Sequence, residues 1–185
     1  MSYFVSAVRC SFAAIYFLAS SVAYAATVSE EDLRAAYLYN FALLVEWPTK
    51  ALPPAATQLT LCHVGEDDAA SSRGVDALAR LAGRKINDRE IVFKRLQSVT
   101  ELKNCHIALI GELDRGAISR LSEALRNSAV LTVAMERDAV SESPQIAISL
   151  SIERDRMVFR INEEYVKRTG LIFSSKLMRL AKKSP

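Results

Sequence analysis

Glycine is scarce in this chain, with 6 among 185 residues, and none of the glycine-rich signatures of nucleotide or acyl chemistry is present. No G-x-G-x-x-G, G-x-x-x-x-G-K-[ST] or G-x-S-x-G occurs, so the dinucleotide, P-loop and hydrolase-elbow readings lack their marker. Charge of one sign is missing too: 24 basic residues against 21 acidic ones leave a formal +3, too mild to argue for nucleic acid. No low-complexity tract and no repeat at solenoid spacing is present. Long apolar runs are absent after the first residues, so no later segment reaches the roughly 18 residues a spanning helix needs.

The first residues set the compartment. Arg9 precedes the apolar run 10–22, and Ala23-Tyr24-Ala25 supplies small residues at the two positions that signal peptidase reads. This pattern predicts a secretory signal over residues 1–25 and an exported mature domain over 26–185. About 160 residues then remain, enough for one domain with a sizeable core. Removing Arg9 lowers the net charge by one.

Histidine and cysteine are few, yet two Cys–His dipeptides, Cys62-His63 and Cys105-His106, sit beside apolar runs. Cys10 leaves with the signal segment, so two cysteines remain in an oxidising space. A Cys62–Cys105 disulfide is the favoured reading. Both dipeptides fall in or beside short strand-like runs, where neighbouring side chains point to opposite faces of the sheet. Neither pair can readily turn both residues toward one ion, and the ligand spacing of a Cys2His2 zinc site is absent. No metal and no cofactor is expected, and His63 and His106 read as ordinary strand residues.

Thr27-Val28-Ser29-Glu30 has the form of a capping box. Leu33, Ala36, Tyr37, Asn40, Phe41 and Leu44 then recur at helical spacing, predicting a first helix to about Glu46. Strands are predicted at 58–64, 90–96, 106–110, 129–135, 146–151 and 156–162, with helices near 73–82 and 115–126. Asn162 is expected to cap a helix through Thr169 that Gly170 ends, and Ser174 or Ser175 to cap a last helix over 176–182. The alternation predicts an α/β fold: a single three-layer domain with a mostly parallel or mixed sheet flanked by helices.

Candidate sites are few. The acidic turn after Val64 falls short of a receiver-type cation pocket, because the strand at 106–110 ends in Gly111 and Glu112 without an acceptor aspartate. Ser174-Ser175-Lys176 looks superficially like a nucleophile pair, but a lysine in an exposed first turn keeps its charge, and helix capping is the better account. Nothing demands an enzyme. Tyr39 and Trp47 stand in an aromatic cluster at the end of the first helix and can be packing residues or a recognition patch. Arg160 and Asn162 share one strand face and can be a solvated edge or a partner or ligand contact.

Taken together, several blocks resemble the YfiR family, periplasmic proteins related to the repressor of a membrane-anchored diguanylate cyclase. They are AAYLYNFALLVEWP (35–48), LCHVGEDD (61–68), LAGRKINDREIVFKRL (81–96), CHIALIG (105–111), VLTV (130–133), RDRMVFRIN (154–162) and GLIFSSKLMRLA (170–181). The resemblance implies a non-enzymatic periplasmic domain that docks on an inner-membrane diguanylate cyclase or sensor kinase and holds it inactive. It also implies release by redox or envelope stress, which raises cyclic di-GMP, with a homodimer compatible. A small-molecule binding module serving a membrane sensor is the alternative, with Arg160, Asn162 and the turn after Val64 lining its pocket. The chain departs from the family at 141–145, where it reads SESPQ instead of a glycine pair, and it lacks the second disulfide of some members.

Overall fold

The computed structural model describes residues 29–66 and 69–182, so the predicted signal segment, Cys10, Asp67 and Asp68 lie outside the described residues. Helix α1 spans Glu30–Leu44 and begins at Ser29, whose side chain accepts a hydrogen bond from the Asp32 N–H. The cap is therefore the serine inside the expected box, followed by Glu30, Glu31 and Asp32 in the turn where the helix dipole favours acids. The helix stops two residues short of Glu46. Val45–Glu46 (β1) is extended and pairs antiparallel with Ile172–Phe173 (β9). Pro48 follows closely, and the residue before a proline is pushed away from helical backbone.

The main sheet has seven strands. Gln58–Val64 (β2), Arg89–Arg95 (β4), Ile107–Ile110 (β5), Leu131–Met135 (β6) and Ile148–Glu153 (β7) run parallel in the order β4-β2-β5-β6-β7. Two antiparallel strands close the edges, Lys85–Ile86 (β3) beside β4 and Arg156–Ile161 (β8) beside β7. The sheet is mixed, as expected. The β3 hairpin is an addition to the expected strands: Asn87 and Asp88 both take positive φ, at 47° and 66°, which is the geometry of a two-residue hairpin turn. Arg154 and Asp155 turn the β7–β8 hairpin in the same way, at 49° and 59°.

Ala69–Ala79 (α2), Arg115–Ala124 (α3), Glu163–Thr169 (α4) and Ser175–Leu180 (α5) complete the helices, with a short 3-10 turn at Val99–Asn104. Alternation along the strands sorts the core into two layers. Leu59, Leu61, Leu109, Val133 and Leu150 face the side of α1 and α2, together with Tyr165 and Leu177. Cys62, Val64, Ala108, Ile110 and Ala134 face the side of α3 and the 3-10 turn. The central strands β5 and β6 are buried on both faces, which is why they read as continuous apolar runs.

The buried arc of α1 differs from the expected one. Ala35, Leu38, Phe41 and Ala42 are buried, while Ala36 and Asn40 are exposed. This helix packs on α2 and α5 as well as on the sheet, so its covered arc is turned toward those neighbours. Similarly, of the residues Val75, Leu78, Ala79 and Ala82 that recur at helical spacing in the helix predicted near 73–82, Val75 and Leu78 are buried on α2, whereas Ala79 and, past the helix end, Ala82 are exposed and Ala77 and Leu81 take their places. At the chain end the caps fall where expected. The Asn162 side chain accepts from the Tyr165 N–H, Gly170 takes φ 72°, and the Ser174 side chain accepts from the Leu177 N–H.

Candidate functional site

Cys62 and Cys105 form a disulfide with 6.0 Å between their Cα atoms. Cys62 lies inside β2, and Cys105 closes the 3-10 turn that leads into the adjacent strand β5. Their neighbours point away from the bond, since His63 falls on the Leu59–Leu61 side of the sheet and Cys62 on the other. No group of three or more His, Cys, Asp or Glu that could hold a metal occurs among the described residues. Nor is any helix among them long and apolar enough to cross a membrane.

The chain leaves β2 for β4 on one side and then for β5 on the other, so the strand order reverses between β2 and β5. In open α/β sheets this is where a crevice forms beyond the carboxyl ends. Here the two backbones meet instead. A Cβ on Gly65 would lie 3.0 Å from the Gly111 Cα, so this close approach favours glycine. The Glu66 N–H also donates to the Glu112 carbonyl at 2.9 Å. The remaining space is a cleft of about 380 Å³ between these glycines, α1 and the end of β6, lined by Arg34, His63, Arg73, Arg137 and Asp138 among others.

Charges in this cleft largely neutralise one another. Arg34 pairs with Glu30 at 2.8 Å, Arg73 with Glu31 at 3.1 Å, and Arg137 with Glu30 at 3.1 Å. These pairs tie the start of α1 to α2 and to the segment after β6. Burial pushes the Asp138 carboxyl up, against the pull of Arg137. His63 is 4% exposed, its Nδ1 has no partner, and burial, with Arg95 and Arg34 nearby, pushes its pKa down to about 4. At neutral pH it is uncharged and poorly suited to shuttle protons.

His63 supplies a pH test. Its folded pKa lies below the ordinary 6.5, so the unfolded chain takes up the proton first as pH falls. Its contribution is full above pH 6.5 and is lost as pH falls toward about 4. The loss should reach about 3 kcal/mol at most. Urea unfolding of wild type and His63→Gln across this range should show a steeper acid loss for wild type. Parallel curves would contradict the buried neutral histidine.

The other sequence candidates are spread over the fold. The Tyr39 hydroxyl donates to the Lys85 carbonyl at 3.0 Å, and the Arg84 guanidinium sits 4.3 Å above its ring. The Trp47 Nε1–H donates to the His106 carbonyl at 3.1 Å, its ring edge-on to that imidazole. His106 is half-buried, its Nδ1 accepts from the Thr60 N–H at 2.9 Å, and burial lowers its pKa. Both aromatics thus anchor α1 and β1 to the sheet. Arg160 on edge strand β8 pairs with Glu136 and approaches Glu153 at 3.9 Å. Arg160 and Asn162 line a second cleft of about 840 Å³ with Ser143, Met178 and Lys182. The turn at Gly65–Glu66 lies in the His63 cleft instead, so these three do not line one pocket, because β5 and β6 separate β2 from β7 and β8. The His63 cleft itself carries no sequence signal. Arg34 and His63 belong to different elements, and no local spacing links them.

A family profile described as YfiR/HmsC-like matches residues 31–182. The chain belongs to the YfiR/HmsC-like family. The match spans α1 to the last described residue and therefore includes the disulfide and the clefts described above. No match is found among curated proteins. Among solved structures, cystalysin from Treponema denticola, which contains a pyridoxal 5'-phosphate cofactor, is similar with a TM-score of 0.39 at 8% identity. That likeness covers 79% of this chain and 47% of cystalysin, so the chain spans about half of that protein's length. So low a score carries no argument about fold or chemistry. Membership of the YfiR/HmsC-like family suggests a periplasmic regulator of cyclic di-GMP signalling, a regulatory role and not a catalytic one. The Ser174 hydroxyl, engaged in capping α5, fits that reading.

Proposed function

We propose that this protein docks on the periplasmic part of an inner-membrane diguanylate cyclase and represses it, with release under redox or envelope stress. The family match over residues 31–182 carries the reading. The docking face we assign is the β8–α5 edge, where Arg160 and Asn162 adjoin Met178, and where Leu180 is 62% exposed on α5. An exposed leucine beside a charged edge suits protein contact, with apolar anchors supplying affinity and Arg160 supplying orientation. The β8 edge is only partly covered: Lys182 bridges to Arg160, and its N–H donates to the Phe159 carbonyl at 2.9 Å.

Tyr39 and Trp47 support this role from behind by holding α1 and β1. A disulfide between β2 and the 3-10 turn that leads into β5 supplies the two-state element that redox control needs. Deleting the gene should raise cyclic di-GMP and biofilm. Solubilised membranes should yield a cyclase on immobilised protein, with capture at least tenfold lower for the Met178→Asp, Leu180→Asp double variant at an unchanged melting temperature. Unchanged cyclic di-GMP together with no recovered membrane partner would overturn the proposal.

A further inference from the structure

The largest unassigned feature is at the opposite, amino end of the sheet. A cleft of about 820 Å³ opens there among the 3-10 turn, the end of α3, the end of α4 and the segment after Pro48. Four cations line it, Lys50, Lys103, Arg126 and Arg168, and no carboxylate among the described residues does. None of the four forms an ion pair with another described residue. Arg168 is held in place by the Pro144 carbonyl at 3.1 Å and the Gln145 Oε1 at 3.2 Å, beside the Tyr165 ring. The contrast with the His63 cleft is direct, since there every lining arginine is matched by an acid.

Helix dipoles explain part of this cluster. Lys103, Arg126 and Arg168 each stand at or just past a helix C-terminus, where a cation offsets partial negative charge. That charge is roughly half a unit for a full helix and less for turns as short as two of these. It cannot balance four cations, so a net positive field remains. Donors are also placed to use it: Asn104, Ser122 and Asn127 line the same walls, and Asn127 is turned by a positive φ of 58°. Cys105 of the disulfide forms part of the floor.

We propose that this amino-end cleft binds a multiply charged, phosphate-bearing anion. Arg126 and Arg168 supply forked donors that match phosphate oxygens, and Lys50 and Lys103 act as point charges around them. The inference stands apart from the docking proposal, because it uses none of the residues assigned to the partner face.

Titration calorimetry of the mature protein with inorganic pyrophosphate at low salt should show saturable binding that weakens steeply as salt is raised. The Lys103→Gln, Arg126→Gln double variant should bind at least tenfold more weakly, whereas Lys176→Gln on α5 should leave binding unchanged. All three positions are exposed, and circular dichroism melts should coincide with wild type. Flotation with phosphatidylglycerol vesicles distinguishes the source. Vesicle binding that pyrophosphate displaces, and that the double variant loses, identifies a lipid headgroup. Pyrophosphate binding without vesicle binding identifies a soluble phosphate compound. Absence of pyrophosphate binding by wild type, or equal binding by the double variant, overturns the proposal.

Discussion

Loss of the Cys62–Cys105 bridge, by Cys105→Ser or by reduction, should lower the unfolding free energy by about 2–5 kcal/mol. The bond closes a span of 43 residues, for which the chain-entropy estimate is about 4 kcal/mol. Cys62 is fully buried and Cys105 is 5% exposed, so a serine at either position also places a hydroxyl against apolar neighbours. Urea unfolding with and without reductant measures the effect. The double Cys62→Ser, Cys105→Ser variant should lose far less than the sum of the two single losses, because both remove one bond. Equal midpoints for oxidised wild type and the variants would contradict the bond's role. The 3-10 turn should loosen first on reduction, since Cys105 fastens its end to β2.

Tyr165→Ala should cost about 3–5 kcal/mol, the range for deleting a large buried ring. Tyr165 has no exposed surface, and its hydroxyl donates to the Val130 carbonyl at 2.9 Å, fastening α4 to the start of β6. Tyr165→Phe keeps the ring and leaves that buried carbonyl short of one donor, a loss of about 1–3 kcal/mol. Burial also pushes the phenol up to about 12 from an ordinary value of 10. Because the folded pKa is raised, this stabilisation is full below pH 10 and is lost as pH rises toward 12. Thermal melts of wild type and Tyr165→Phe should therefore converge in strong alkali. Equal stability of Tyr165→Ala and wild type at pH 7 would show that the ring is not packed as described.

Local signals are reliable where the chain carries its own period or stop. The run at 58–64 is β2 to the residue, and Met157, Phe159 and Ile161 are buried on β8 as their alternation requires. Asn162, Gly170 and Ser174 act as caps because a side-chain oxygen or a missing Cβ suits those backbone positions whatever surrounds them. Local signals fail where neighbours decide. Ala36 and Asn40 have helical spacing yet face solvent, because α2 and α5 claim the other arc. Strand β3 is two residues long, too short to show a period, and only its paired partner β4 defines it.

The sequence alone determined the pairing of two cysteines, the α/β class and the family resemblance, because cysteine number, the alternation of strand and helix signals and short local blocks carry them. Tertiary structure decided which groups meet. Lys50, Lys103, Arg126 and Arg168 are far apart along the chain, and they converge because the chain returns to the amino end of the sheet before β2, β5 and β6, while antiparallel β8 delivers α4 to that same end. The same crossovers bury His63 beside Arg34 and part Arg160 from the turn at Gly65, and no period in the chain records a crossover.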